Sequence, residues 1–171
     1  QDPSQPLTSA VWRGDWSSHE SLTPLEKVQI EQSDIITFHN YDSAAEFEKR
    51  AKWLQRYDRP LICTEYMARP NGSTFEAILP LGKEYNIGMY NWGFVDGKTQ
   101  TKYPWDSWDK KYTAEPKVWF HEVLRKDGTP YDQEEVELIK ELTTAVEVEQ
   151  KFRLAEVERV RSRPADPAST T

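Results

Sequence analysis

Apolar positions along the chain fall into short continuous runs, separated by stretches in which they recur every three or four residues. This is the alternation of buried strands with one-faced helices. Leu7-Thr8-Ser9-Ala10-Val11-Trp12 reads as a short strand ended by the turn-prone Arg13-Gly14-Asp15. Thr23-Pro24-Leu25-Glu26 has an N-cap threonine, proline at the first helical position and an acid in the first turn, which predicts a helix to about Gln32. Asp34-Ile35-Ile36-Thr37-Phe38 has the pattern of a strand buried on both faces. Asp42 or Ser43 then caps a helix over about Ala44–Tyr57, with Ala44, Phe47, Ala51 and Leu54 on one face and Glu46, Glu48, Lys49, Arg50 and Lys52 on the other. Arg59-Pro60 breaks that helix, and Leu61-Ile62-Cys63-Thr64-Glu65-Tyr66 is the next strand. After the loop Pro70-Asn71-Gly72-Ser73, Ser73 or Thr74 caps a helix to about Tyr85, in which Pro80 predicts a kink or restart. Asn86-Ile87-Gly88-Met89-Tyr90-Asn91-Trp92 is a fourth strand.

Strand and helix alternate throughout this stretch, so the expected fold class is α/β, with a parallel sheet and helical crossovers. From Gly93 to about Tyr112 runs a long aromatic loop, and Trp119-Phe120-His121-Glu122-Val123-Leu124 is expected to form a short helix. Asp132-Gln133-Glu134-Glu135 resembles a capping box and starts a last helix, with Val136, Ile139 and Leu142 on its apolar stripe. Beyond Thr144 the stripe is interrupted by Glu149 and Arg153, which favours a solvated helix over a coiled-coil seam. The expected organisation is a lead-in over 1–6, the α/β unit over 7–142, a charged helical extension over 143–163 and a disordered tail over 164–171.

The 29 acidic and 22 basic residues leave a net charge of −7, which offers no footprint for nucleic acid or for an anionic membrane. No apolar run reaches the ~18–20 residues of a membrane span and no signal peptide opens the chain, so a soluble protein is expected, its compartment open. Cys63 is the only cysteine, which excludes an internal disulfide and zinc sites built on several cysteines. His19, His39 and His121 have no metal-ligand spacing, the glycines form no phosphate-binding fingerprint, and no metal or organic cofactor is implied. Asn71-Gly72-Ser73 matches a glycosylation acceptor, a triplet common by chance. The chain opens on Gln1 rather than Met, pointing to a processed, trimmed or partial chain.

In parallel βα architectures active sites lie at the carboxyl ends of the strands. The residues there are Trp12 to Trp16, His39-Asn40-Tyr41, Glu65 to Arg69 and Asn91-Trp92-Gly93. Aromatic rings with amides and a carboxylate on one rim suit a sugar, because rings stack on the apolar faces of pyranoses while polar groups bond the hydroxyls. Glu65 emerges from a buried strand into that rim, where a carboxylate is either functional or paired, with Arg69 or Arg13 as structural partners. His39 is a candidate acid/base, substrate ligand or framework histidine. Tyr41 either donates to Glu65 or packs, and Trp92 is a stacking platform or a core aromatic. Strict alternation places Cys63 on the side of Glu65, one layer deeper, as a packing residue. Tyr103-Pro104-Trp105-Asp106-Ser107-Trp108 supplies either stacking subsites or a packed cap.

Ser33 to Tyr41, Arg59 to Tyr66 and Tyr90-Asn91-Trp92-Gly93-Phe94 resemble, in order and spacing, strands six, seven and eight of a (β/α)8-barrel glycoside hydrolase. The closest likeness is to the retaining clan with catalytic glutamates after strands four and seven, which includes cellulase-like and β-galactosidase-like families. Trp119-Phe120-His121 through Asp127-Gly128-Thr129-Pro130-Tyr131 resembles the way such barrels close. The resemblance implies that Glu65 is the nucleophile, that His39 and Tyr41 contact the sugar and the nucleophile, and that Trp92, beside Asn91, lies under the reacting sugar. In that clan the acid/base glutamate follows an asparagine, and this chain contains no Asn-Glu dipeptide. A full barrel takes ~250 residues, with ~200 the lower end. The expectation is therefore a C-terminal barrel half, about strands 5–8, that acts on a carbohydrate substrate. Its other partner would be a missing N-terminal half or a second copy. The alternatives are a non-catalytic carbohydrate-binding or barrel-derived module, and an unrelated α/β domain whose last helix mediates assembly. Asp15, Asp96, Asp106 and Glu115 are the candidates for a substitute acid within the chain.

Overall fold

The computed structural model describes residues 4–144. Four strands, β1 (Ala10–Val11), β2 (Ile36–Asn40), β3 (Leu61–Tyr66) and β4 (Gly88–Met89), form one parallel sheet in the order β1-β2-β3-β4. Helices α1 (Pro24–Glu31), α2 (Ala44–Gln55) and α3 (Phe75–Glu84) make the crossovers, and residues 133–144 are helical. The architecture is mixed α/β with parallel strands. The parts of the expected extension beyond 144, and the expected tail, lie outside the described residues.

Register separates the two faces of the sheet. Val11, Phe38, Cys63 and Met89 lie in one layer. The first three are fully buried, Phe38 meets Phe47 of α2 at 5.8 Å between centroids, and a Cβ on Gly82 of α3 would touch the Met89 side chain. That face carries the core, filled from the helices by Ile30, Phe47, Ala51, Leu54, Phe75 and Ile78. The neighbouring layer, Ala10, Thr37, Ile62 and Gly88, faces the other way, and only Thr37 in it is buried.

Local chemistry explains most boundaries. The Thr23 hydroxyl accepts from the Glu26 amide while the Glu26 carboxylate accepts from the Thr23 amide, a full capping box at 3.2 and 2.8 Å. At the other end of α1 the Arg59 guanidinium donates to the carbonyls of Ile30, Glu31 and Ser33, groups a helix end leaves unpaired. Thr74, rather than Ser73, caps α3 by accepting from the Ala77 amide.

Several expectations need correction. β1 has two residues, not six: ahead of it the Leu7 amide donates to the Asp34 side chain and the Thr8 hydroxyl to the Ile35 carbonyl, while the Leu7 carbonyl accepts from the Asp34 amide without continuing the ladder. The ladder of β4 is equally short, although the Tyr90 and Trp92 amides still donate to Cys63 and Tyr66. Pro80 does not restart α3, which runs on either side of it as one element. The segment 119–124 is irregular, with bends at Phe120 and His121 and an isolated bridge at Leu124, not helical. Trp119, Phe120, His121, Glu122 and Val123 are buried in succession, which no one-faced helix permits, and their backbone is claimed by neighbours instead. Phe120 N donates to Lys102 O, Val123 and Leu124 N to Phe94 O, and Arg69 donates to the carbonyls of Trp119 and Glu122.

Arg69 fastens this segment to the end of β3. Its guanidinium also takes the Glu135 carboxylate in a two-pronged contact at 2.8 and 2.6 Å and lies 4.6 Å from the Tyr131 ring, with both charged side chains largely buried. Removing one member leaves the other charge buried and unpaired. Arg69→Leu is therefore expected to lower unfolding free energy by about 3–5 kcal/mol, read as a fall in the urea midpoint.

Candidate functional site

The ladder between β2 and β3 is irregular at one point: Phe38 is level with Cys63, but His39 is level with Glu65, so Thr64 is an extra, unpaired residue. This β-bulge reverses the expected geometry. Strict alternation would place Glu65 with Cys63 on the helix side, but the bulge puts it opposite, level with His39. Cys63 stays in the core, where burial pushes its thiol up to about 12, and it is an inert packing residue.

At the strand ends the Tyr41 hydroxyl donates to Glu65 Oε2 at 2.9 Å, and His39 Nδ1 lies 3.3 Å from the same oxygen. Oε1 has no partner among the described residues. Burial, then the adjacent Glu65 carboxylate, push the Tyr41 phenol well above its ordinary value, so it remains a donor. The two side chains His39 and Glu65 are 19 % and 25 % exposed, open enough for a ligand to reach them. The arginines considered as structural partners are engaged elsewhere, Arg69 with Glu135 and Arg13 at 4.4 Å from the Trp12 ring. Trp12 in turn lies 6.0 Å from His39.

Trp92 is 46 % exposed, so it is no core aromatic, and its ring lines an open groove of about 460 Å³ beside this cluster. Asn91 is not brought to Glu65: its side chain is bonded to the Gly93 carbonyl and shapes its own turn. Gly93 itself has φ +96°, and a Cβ there would strike the Thr101 hydroxyl and the His121 side chain, so this turn accepts no other residue without strain.

The two tryptophans of the aromatic loop differ in their surroundings, Trp105 being 38 % exposed and Trp108 almost fully so. Trp105 is a packed wall, edge-on to Tyr41 at 5.2 Å and against Phe120 at 5.3 Å, whereas Trp108 is 88 % exposed at the groove. Trp105 Nε1–H donates to His121 Nε2 at 3.0 Å, which leaves Nδ1 to carry the ring proton and to donate to the Met67 carbonyl at 2.6 Å. His121, Trp105 and Tyr41 thus form a relay of contacts from the end of β3 back to Glu65. Sequence reasoning missed His121 because it lay in a supposed helix. The signal was there: Trp119 to Val123 lacks any helical period.

The carboxylates considered as a substitute acid are each engaged with other groups. Asp96 pairs with Lys102 at 2.7 Å, Asp106 with Lys110 at 2.6 Å and Tyr112 at 2.6 Å, Glu115 with Trp119 Nε1 at 2.6 Å, and Asp15 is bonded to the Ser17 amide. Glu122 is fully buried. It accepts from Thr101 at 2.9 Å, Oε2 is unpartnered, and burial raises its proton affinity. No group of three His, Cys, Asp or Glu among the described residues could hold a metal ion, and none of their helices is long and apolar enough to cross a membrane. Comparison of the chain with protein-family models and with curated proteins gave no match.

Burial holds His121 below its ordinary 6.5, with Arg69 adding to the effect. The unfolded chain therefore takes up this proton first. The contribution of the neutral imidazole to stability is present above 6.5 and is lost as pH falls toward the depressed native value. Between about pH 7.5 and about pH 5.5 the wild-type melting temperature should fall more steeply than that of His121→Asn, which keeps a donor toward Met67. Equal slopes would show that the ring does not carry the dependence.

Proposed function

We propose that the chain is the C-terminal half of a (β/α)8 barrel, about strands 5–8, from a retaining glycoside hydrolase that acts on β-linked saccharides, and that Glu65 is its nucleophile. The observation that carries this reading is the Glu65 carboxylate on a strand-end bulge, with Tyr41 and His39 on one oxygen and the other oxygen unpartnered, under an aromatic rim. Retaining hydrolysis needs a carboxylate aimed in this way. In the first step Oε1 bonds to the anomeric carbon as the bond to the leaving oxygen breaks, and an acid about 5–5.5 Å away protonates that oxygen. In the second, water attacks the same carbon, gives up its proton to that acid's conjugate base, and releases the carboxylate. Tyr41 keeps Oε2 hydrogen-bonded throughout, and Trp92 offers an exposed face for a pyranose.

The acid/base is supplied in this reading by the N-terminal half, from the end of strand four. No metal or organic cofactor takes part. The sheet fits the same account: its edge strands are two residues long, and its helix-free face carries the short side chains of Ala10, Thr37 and Gly88 beside Ile62. The missing half, or a second copy, would cover both. A carbohydrate-binding or barrel-derived module without catalysis is the second reading, favoured by the engagement of Asp15, Asp96, Asp106 and Glu115 with other partners.

Aryl β-glycosides test both readings. The chain alone should show background turnover. Supplied with an N-terminal barrel half that carries the strand-four glutamate, it should hydrolyse members of the panel, and Glu65→Gln should abolish that activity. Turnover by the chain alone that disappears in Glu65→Gln would overturn the half-barrel reading. Turnover unaffected by Glu65→Gln would overturn the nucleophile assignment, and none under any condition would leave the binding module. In the complemented enzyme Tyr41→Phe should lower kcat about 10–100-fold, the value of a hydrogen bond to a charged group.

A further inference from the structure

The groove beside the strand-end cluster differs in charge from the rest of the molecule. The chain has seven more acids than bases, yet no carboxylate lines the groove, while Lys110 and Lys111 both do. Lys110 is neutralised at 2.6 Å by Asp106, which also holds Tyr112. Lys111 is exposed and has no ion-pair partner among the described residues. An uncompensated cation on the wall of an aromatic groove is complementary to a ligand with an apolar ring face and a negative substituent.

We infer that this groove is a subsite for an acidic sugar, a uronic acid in a β-linked saccharide, with Trp108 as the stacking platform and Lys111 as the carboxylate partner. The inference rests on the reading of the rim as a sugar site. The groove shares Trp105 with the smaller pocket that holds Trp12 and Tyr41, and Tyr41 donates to Glu65, so the groove adjoins the strand-end cluster. Both ligand parts are accounted for: Trp108 offers a face that nothing in the fold covers, and Lys111 offers a charge that nothing in the fold neutralises. A neutral saccharide would use the first and leave the second solvated.

Calorimetric titration of the full chain with cellobiouronic acid and with cellobiose tests this without any need for turnover. The acidic disaccharide should bind about 1.5- to fivefold tighter, the range of an exposed ion pair. The difference should shrink at about 0.5 M salt, where such a pair is screened. Lys111→Gln should remove the preference and leave cellobiose binding unchanged, and Trp108→Ala should weaken both sugars with the circular dichroism unaltered. Equal affinities for the two sugars, or a preference that survives Lys111→Gln but falls in Arg13→Gln, would overturn the acidic subsite while leaving the sugar site in place. Failure of both sugars to bind would overturn the sugar reading itself.

Discussion

Phe38 is level with Cys63 and His39 with Glu65, so Thr64 is carried in the strand without a partner, and that one extra residue decides which face of the sheet Glu65 occupies. On the helix side a carboxylate would enter the core of Phe38, Phe47 and Leu54, where an ionised group without a partner costs several kcal/mol. On the opposite side it meets a phenol, an imidazole and open space. The bulge keeps Cys63 and Tyr66 in the core while it turns out the one residue between them that has reactive chemistry. Every other feature of the site is arranged around that choice of face.

The partners of Glu65 need holding in their turn, and the chain does this with residues far along the sequence. Met67 follows β3 with φ +70°, an uncommon conformation for such a side chain, and both its backbone polar groups are taken: its amide donates to Ser73 Oγ and its carbonyl accepts from His121. Because His121 is committed to Met67 through Nδ1, its Nε2 is left to accept from Trp105, and Trp105 packs edge-on against Tyr41. The placement of the Tyr41 hydroxyl against Glu65 thus depends on a segment 119–123 that is itself fixed by Arg69. Strand end, aromatic loop and closing segment are one mechanical unit.

What could be read from the sequence was what depends on neighbours in the chain. The Thr23 N-cap with Pro24 after it, the apolar face of Phe47, Ala51 and Leu54, and the bounds of β3 follow from local chemistry and were all legible. The bulge was not, because an unpaired residue exists only relative to the register of another strand, and nothing in Leu61 to Tyr66 breaks alternation by itself. The conformation of Trp119 to Val123 was missed for a related reason: local propensity permitted a helix, and tertiary contacts to Lys102, Phe94 and Arg69 overrode it. Tyr41 was legible as a donor to Glu65, whereas Asn91, equally polar and equally placed at a strand end, turned inward to its own loop.

The carboxylates around the rim differ in what compensates them, and that difference singles out Glu65. Asp42 faces Arg50 at 2.7 Å, Asp96 faces Lys102 at 2.7 Å and Asp106 faces Lys110 at 2.6 Å, each with a permanent cation against it. Such a pair neutralises the anion and ties up its lone pairs, so the oxygen is a poor nucleophile. Glu122 lies at the other extreme, in a site whose burial raises its proton affinity and favours the neutral acid. Glu65 stands between them. A phenol too weakly acidic to give up its proton donates to one oxygen and an imidazole nitrogen lies beside the same oxygen, which orients the group and leaves the other oxygen unpartnered. Under the proposed reading, an oriented carboxylate with one oxygen unpartnered is the state that attack on an anomeric carbon uses. It is also the state that a purely structural ion pair would remove.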